Sequence, residues 1–275
     1  MNSLKEIGIK YGTDKVQHGY LDVYYEYFSR FREKEINILE IGVYNGASMF
    51  TWREFFPNAN IIGVDIEDKT SIFNRLPGKK EFFKGDQGDY KFVTYFCETI
   101  LNKTNRGFDI VIDDGSHFQY DLMVSLGYIF PYVNSGGAYV LEDMCVAEKL
   151  NGTSNWWGNE DHWKSSTLPG MKKSARTIKK WLPGGEMNIE HCAEATMQRL
   201  EKTGVFNNAF LSEDDCKYIN DNYQQVRVYP ALTPPIQGTS SIAVITKKNR
   251  PEERNIFLED TAKSLNEDPL GDFIL

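Results

Sequence analysis

Short apolar runs alternate with segments of helical spacing between Ile36 and Asp143. The runs are INILEIG, NIIGVDI, FDIVIDD and GAYVLED, and EFFKGD is a weaker member of the series. Their continuous apolar character is typical of strands that are buried on both faces of a parallel sheet. The intervening segments ASMFTWREFF and YKFVTYFCETIL carry apolar residues at helical spacing. The pattern predicts a doubly wound α/β fold with right-handed crossovers.

Further elements are predicted on both sides of this alternation. VQHGYLDVYYEYFSRF is an aromatic-rich predicted helix, and the loop KYGTDK precedes it. After Asp143 a polar stretch with Trp156, Trp157 and Trp163 predicts an ordered cap, and NIEHCAEATMQRLEK predicts a helix. QQVRVYPAL and SSIAVITKK, joined by TPPIQGT, predict an antiparallel strand pair. We therefore predict an N-terminal lid at 1–35, a sheet domain at 36–248 with a cap insertion at about 144–205, and a tail at 249–275.

Composition narrows the class of protein. A chain of 275 residues with 41% hydrophobic and 25% charged residues is long enough to bury one full core. The net charge of −8 argues against a nucleic-acid partner, because binding to a phosphate backbone needs clustered lysine and arginine. The sequence has no apolar signal segment and no run near the roughly 20 residues that cross a bilayer. These features predict a cytoplasmic protein without a membrane partner, and four scattered cysteines without a CxxC pair predict free thiols.

A glycine loop follows the first predicted strand. In LEIGVYNGAS, Gly42 and Gly46 allow a tight turn and a close approach of a ligand to the N-terminus of the next helix. Asp65 ends the second strand, about 20 residues further on, where a carboxylate accepts hydrogen bonds from ribose hydroxyls. Asp86 ends the next strand and is placed to face an adenine edge. The three strand ends together predict a nucleoside crevice, and the alternative is a set of tight turns with exposed carboxylates.

The loop spacing departs from the dinucleotide fingerprint G-x-G-x-x-G. With Glu40 in front, it resembles the E/D-x-G-x-x-x-G loop of class I S-adenosylmethionine-dependent methyltransferases. That resemblance implies a Rossmann-like, mostly parallel seven-stranded sheet with an antiparallel last strand. It also implies S-adenosyl-L-methionine as the cofactor, with Glu40, Gly42 and Gly46 around the methionine moiety, Asp65 at the ribose, and Asp86 and Gln87 at the adenine.

The stretch DIVIDDGSHFQYD joins a buried strand to an acidic edge. Asp113 and Asp114 end one strand, and Glu142 and Asp143 end another. If these strands are neighbours, their ends lie about 5 Å apart. Crowded carboxylates repel one another, and a divalent cation relieves that repulsion. We predict Mg²⁺ or Mn²⁺ at this edge, and the alternative is two solvated acidic pairs.

His117 follows Asp114 by three residues. A neutral imidazole at this position can take a proton from a substrate hydroxyl. The alternative is an ordinary turn or helix-cap histidine.

The motifs IDDGSH, LEDM and GTDK…H.Y resemble those of metal-dependent sugar O-methyltransferases that act on macrolide deoxysugars, the mycinamicin and macrocin type. Related enzymes modify sugars in bacterial capsule pathways, including nucleotide-linked heptoses. The resemblance covers roughly Tyr11 to Met144. It implies that Asp114, Glu142 and Asp143 are metal ligands, that His117 is the general base, and that Asp113 supports them.

The GTDK segment has two interpretations. In the first, the segment is a lid over the cofactor that contains Thr13, Lys15 and His18, with Lys15 or His18 near the cofactor carboxylate. In the second, Thr13 or Asp14 is a simple helix N-cap.

We predict an S-adenosylmethionine-dependent O-methyltransferase that transfers a methyl group to a sugar hydroxyl by in-line displacement. The acceptor is a glycoside or a nucleotide-linked sugar, including a capsule polysaccharide precursor, and the metal chelates its diol. A homo-oligomer is expected. The alternatives are an NAD-dependent oxidoreductase, a small-molecule or catechol O-methyltransferase, and a non-catalytic nucleoside-binding subunit.

Overall fold

The computed structural model of the protein describes residues 2–144, 192–229 and 241–250. Within them a seven-stranded sheet has the order β3-β2-β1-β4-β5-β7-β6. The strands are β1 Asn37–Ile41, β2 Asn60–Asp65, β3 Lys80–Lys84, β4 Phe108–Asp113, β5 Val133–Leu141, β6 Tyr223–Tyr229 and β7 Ile242–Lys247.

Helices cover both faces of this sheet. In the described residues the α-helices are α1 Leu4–Tyr11, α2 Tyr20–Phe28, α3 Ala47–Phe55, α4 Thr70–Arg75, α5 Tyr90–Thr104, α6 Gln119–Ile129, α7 Ala193–Thr203 and α8 Glu213–Asn222. Single 3₁₀ turns lie at Asp14–Val16, Ser29–Phe31 and Phe130–Tyr132.

The strand pairing confirms the predicted fold class. Strands β1 to β5 are parallel, and β7 runs antiparallel to both β5 and β6. The chain moves outward from β1 through β2 to β3 and then returns to β4 on the other side of β1. The carboxyl ends of β1 and β4 therefore flank a topological switch point, which is where ligands bind in open α/β sheets.

Two hydrophobic clusters sandwich the sheet. On one face residues of α5 to α8, such as Phe96, Leu126 and Met197, are fully buried. On the other face α1 to α4 bury aromatic side chains, among them Tyr24 and Trp52. Because both faces are covered, all residues of β1 and β4 are buried, which explains their continuous apolar character.

The N-terminal region differs from the prediction in two places. Helix α1, which begins at a capping box formed by Ser3 and Glu6, was not predicted. The predicted aromatic helix begins at Tyr20, because Gly19 adopts φ +77° and interrupts the helical pattern.

Several predictions fall on residues that the structure does not describe. The greater part of the cap insertion, with Trp156, Trp157 and Trp163, lies outside the described residues, as do the 230–240 linker and the tail beyond 250. Helix α7 confirms the helix predicted in NIEHCAEATMQRLEK. Among the helices of the described ranges, none combines the length and the hydrophobicity needed to span a bilayer.

Candidate functional site

A cavity of about 650 Å³ opens at the carboxyl edge of β1, β2 and β4. Its volume lies within the roughly 300–1,000 Å³ of pockets that bind small ligands. The predicted site residues that line it are Thr13, Lys15, Gly42, Asp65, Asp86, Gln87, Asp114 and His117. The predicted crevice therefore shares one cavity with Asp114 of the predicted acidic edge and with His117.

The glycine loop closes tightly against β4. Gly42 has φ +88°, and a Cβ added to it would lie 2.0 Å from the carbonyl oxygen of Asp114. Only glycine fits there without moving the backbone. Gly46 has φ +83° and begins α3 beside the cavity wall.

Asp65 fixes the conformation of that loop. Its Oδ2 accepts hydrogen bonds from the backbone N–H groups of Val43 (3.0 Å) and Tyr44 (3.2 Å). Its Oδ1 accepts one from the N–H of Glu67 at 2.8 Å. The carboxylate lines the cavity, so the predicted ribose contact remains a prediction.

Asp86 has one oxygen engaged locally. Its Oδ1 accepts the backbone N–H of Gly88 at 2.9 Å, and the residue lines the cavity. The sequence analysis did not identify Ser116 and Asp121, which also line the cavity. The hydroxyl of Ser116 donates a hydrogen bond to Asp121 Oδ2 at 2.7 Å. Asp121 belongs to α6. Its position in the helical pattern did not indicate that its carboxylate faces a cavity.

Gln87 and Asp113 are hydrogen-bonded to each other, and Gln87 also lines the cavity, so its predicted contact with the adenine remains a prediction. The Gln87 amide donates to Asp113 Oδ1 (2.9 Å) and Ser125 Oγ (3.0 Å), and its Oε1 accepts the N–H of Ser116 (2.8 Å). Asp113 is fully buried, and its Oδ2 accepts the hydroxyl of Tyr139. Burial raises the pKa of Asp113 to about 6, against the lowering effect of the Gln87 and Tyr139 hydrogen bonds. Every polar atom of these two side chains has a hydrogen-bond partner in the protein, and these bonds hold the loop after β4 in place.

Asp114 and His117, which line the cavity, converge with Asp143. Each offers one ligand atom, and these atoms lie within 4.8 Å of one another. His117 and Asp143 have φ values of +57° and +51°, a region that non-glycine residues rarely occupy and that often marks functional sites. The Nδ1 of His117 is buried without a hydrogen-bond partner among the described residues. Oxygen and imidazole donors at this spacing match the ligands of a divalent cation.

Glu142 differs from its predicted place among the metal ligands. The residue is 1% exposed, and both carboxylate oxygens accept hydrogen bonds from Lys15, at 2.8 and 2.9 Å. The hydroxyl of Tyr24 also donates to Oε1. Burial and the charge of Asp114 raise the pKa of Glu142, while Lys15 lowers it. Among the described residues, the group of possible ligand atoms therefore contains His117 and does not contain Glu142.

Lys15 lines the cavity, and its ammonium contacts carboxylates of the protein, so its predicted place beside a cofactor carboxylate remains a prediction. Its Nζ lies 2.5 Å from Asp114 Oδ2, 2.8 Å from Glu142 Oε1 and 3.3 Å from Glu40 Oε1. Burial alone would lower the pKa of Lys15, but these carboxylates raise it well above its usual range. The ammonium is therefore the counter-charge of the buried acidic groups. Thr13 occupies the N-cap position of the adjoining 3₁₀ turn, but its side chain makes no capping hydrogen bond.

Glu40 lies beneath the cavity and does not line it, unlike the predicted contact with a methionine moiety. It is 1% exposed and accepts a hydrogen bond from the indole N–H of Trp52. Burial raises the pKa of Glu40 to about 7, although Lys15 lowers it.

The tyrosines of α2 have a polar role that was missed. Tyr20 donates to Asp143 Oδ1 at 2.5 Å, and Tyr24 donates to Glu142. The motif GTDK…H.Y contains Tyr20 and was the available signal.

The fold is similar to that of a solved methyltransferase. The structure of MycE, the methyltransferase of the mycinamycin biosynthetic pathway in complex with Mg, SAH and mycinamycin VI, matches with a TM-score of 0.57. The match has 25% sequence identity and covers 92% of this chain and 56% of that one. The chain has the class I methyltransferase fold.

Curated relatives of this methyltransferase-fold chain are named as O-methyltransferases. Mycinamicin VI 2''-O-methyltransferase of Micromonospora griseorubida is 35% identical over 153 residues, which are 52% of this chain and 36% of the relative. Demethylmacrocin O-methyltransferase of Streptomyces fradiae is 35% identical over 185 residues, 62% of this chain and 43% of the relative. The predicted resemblance is confirmed, and the chain matches less than half the length of these relatives. No protein-family model matches the chain.

Proposed function

We propose that this protein is an S-adenosylmethionine-dependent O-methyltransferase that acts on a sugar hydroxyl. The observation that carries the proposal is the convergence of Asp114, His117 and Asp143 beside the cavity of the glycine loop. The similarity to named sugar O-methyltransferases supports the same class of reaction.

The cavity suits the proposed cofactor in size, backbone shape and charge. Gly42 keeps the loop flat against β4, and the N-terminus of α3 adjoins the cavity. Asp65 and Asp86 are assigned to the ribose and the adenine. Further carboxylates on the wall, Glu67, Asp114 and Asp121, favour a cofactor with a positively charged sulfonium.

The donor set suits Mg²⁺ or Mn²⁺, and Asp114 and Asp143 are the residues that would hold it. Both carboxylates offer oxygen atoms, which hard divalent cations prefer. Such an ion orients a substrate hydroxyl and lowers its pKa. Adjacent hydroxyls of a sugar are the proposed chelating pair, and Glu142 remains a ligand only by the family resemblance.

His117 is assigned as the general base. Its imidazole is 29% exposed at the cavity, and Asp114 Oδ1 lies 3.9 Å from its Nε2, so the imidazolium formed by proton uptake has a nearby counter-charge. The acceptor oxygen forms a bond to the methyl carbon as the carbon–sulfur bond breaks, and the hydroxyl proton passes to His117. Water must be kept from the methyl group, and the half-buried loop after β4 forms one wall of the cavity together with the buried Phe118.

The position of His117 also suits a metal ligand, because its ring nitrogen belongs to the same 4.8 Å group. His117→Ala separates the two roles. Loss of turnover with unchanged Mn²⁺ affinity supports the base, and joint loss of turnover and Mn²⁺ affinity supports the ligand. Full activity in the variant would remove both roles.

The activity is tested by a methyl-transfer screen with S-adenosylmethionine, nucleotide-activated sugars and macrolide glycosides, with detection by mass spectrometry. A mass gain of one methyl group on a sugar is the expected result. Methylation of catechols alone would contradict the sugar assignment, and calorimetric binding of NAD without binding of S-adenosylhomocysteine would contradict the methyltransferase. Treatment with EDTA should abolish turnover and added Mg²⁺ should restore it; activity that survives complete chelation would contradict the metal role.

The nature of the acceptor belongs to the same proposal. A glycoside or a nucleotide-linked sugar, including a capsule precursor, meets the requirement of adjacent hydroxyls. We further propose that residues 36–248 form the methyltransferase domain, that residues 1–35 and the 144–205 region shape its entrance, and that the protein works as a homo-oligomer.

A further inference from the structure

The N-terminal segment supplies three hydrogen-bond donors to the acidic edge. Lys15 of the first 3₁₀ turn contacts Asp114 Oδ2 at 2.5 Å, and Tyr20 of α2 contacts Asp143 Oδ1 at 2.5 Å. Tyr24, one turn further along α2, donates to Glu142. Asp114, Glu142 and Asp143 are therefore held by residues of one segment far away in the sequence.

Lys15 decides how the carboxylate of Asp114 is oriented. One oxygen, Oδ2, points inward to the Lys15 ammonium, and the other, Oδ1, lies 3.9 Å from His117 Nε2. A carboxylate held by one oxygen presents the other in a fixed direction. The contact between Lys15 and Oδ2 therefore determines that Oδ1 faces His117 and the cavity.

The surroundings of Lys15 make that contact hard to replace. Its side chain is 2% exposed, and Glu40 and Glu142 on its other sides are equally buried. Removal of the ammonium leaves several buried carboxylates without a counter-charge, which is a costly arrangement. Asp114 is partly exposed, so it is the carboxylate free to turn away from the cluster.

We propose that Lys15 is a positioning residue for the cation site at Asp114 and Asp143. The inference rests on the proposed function, and it assigns the lysine of the GTDK segment to the orientation of Asp114. Simple Coulomb repulsion predicts the opposite, because a positive charge 2.5 Å from a ligand carboxylate weakens binding of a second cation. The two explanations therefore predict changes of opposite sign when the lysine is removed.

The experiment measures Mn²⁺ affinity of the full chain by electron paramagnetic resonance. Lys15→Met should weaken Mn²⁺ binding by roughly tenfold or more, the range typical of lost supporting contacts around metal ligands. Lys5→Met is the matched control, because Lys5 pairs with Asp22 on the surface and its loss changes the net charge equally. Unchanged or tighter Mn²⁺ binding by Lys15→Met would overturn the proposal.

A double variant distinguishes the orientation of Asp114 from the charge balance of the buried cluster. It also provides a test if Lys15→Met alone does not fold. Lys15→Met with Glu40→Gln removes one buried charge of each sign and leaves Asp114 without its donor. Its melting temperature should return toward that of the wild type while Mn²⁺ affinity stays weakened. Full recovery of Mn²⁺ affinity would mean that Lys15 acts only as a counter-charge, and the positioning role would be wrong.

The wild-type protein separates failure of this inference from failure of the proposed function. If the wild type binds no Mn²⁺, the cation site itself is wrong and the role of Lys15 falls with it. If the wild type binds Mn²⁺ and Lys15→Met binds equally well, only the role of Lys15 is wrong.

Discussion

Replacement of Gly42 by alanine tests whether the glycine loop must lie against β4. The residue has φ +88°, and its N–H donates to the carbonyl of Val64 at 2.8 Å. An added Cβ would lie 2.0 Å from the Asp114 carbonyl oxygen, whereas ordinary contacts begin at 3.4 Å. The obstacle is backbone, so no side-chain rotation relieves it.

The expected cost has two parts. An L-residue in the left-handed region costs about 1–2 kcal/mol. Overpacking against a fixed neighbour adds about 1–3 kcal/mol. Gly42→Ala should therefore lower the free energy of unfolding by about 2–5 kcal/mol, and it should displace Asp114 from the cavity edge.

Urea unfolding measures the first effect and calorimetric titration with S-adenosylhomocysteine measures the second. Gly204→Ala is the matched control, because Gly204 has φ +74° but a Cβ there would meet only the hydroxyl of Tyr223 at 3.4 Å. That variant should lose only the conformational part, about 1–2 kcal/mol, and should bind normally. Equal stability of the two variants, together with unchanged binding by Gly42→Ala, would refute the close approach of loop and strand.

Two further predictions concern stability. The pKa of Glu40 is raised to about 7 by burial, so its contribution to stability is complete below its ordinary pKa of 4.5 and is lost as the pH rises through 7. Between pH 5 and pH 8 the wild type should lose up to about 3 kcal/mol more unfolding free energy than Glu40→Gln in urea titrations, and parallel pH profiles would contradict this. Asn105 caps α5 with φ +52°, so Asn105→Gly should raise the free energy of unfolding by about 0.5–1 kcal/mol in urea titrations, and Asn105→Ala should lower it. A change of the same sign in both variants would contradict the role of backbone strain.

The sequence predicted the sheet well because its physical signal is local. INILEIG and FDIVIDD carry apolar residues on both sides of the strand, since helices cover both faces of β1 and β4. Helix α1 escaped prediction because its main buried side chains, Leu4 and Ile7, are too few to establish a period.

The site was predicted as a set of residues but not as a set of contacts. Asp114 and Glu142 each follow a strand, and nothing local shows that Glu142 faces inward to Lys15 and Tyr24. Lys15 lies 99 residues before Asp114 and 127 before Glu142, so their pairing depends entirely on the tertiary fold. Gln87 is a similar case, because its partners Asp113 and Ser125 come from β4 and α6.

The position of β7 between β5 and β6 has a consequence for biosynthesis. A growing chain that ends before Ile242 has made β6, but β6 has no neighbour in the sheet, and the open edge of β5 offers unpaired backbone groups to other nascent chains. Domains tend to fold from the N-terminus during translation, and here completion of the sheet must wait for a strand made late. Premature termination between Tyr229 and Ile242 should therefore give aggregation-prone products that chaperones retain.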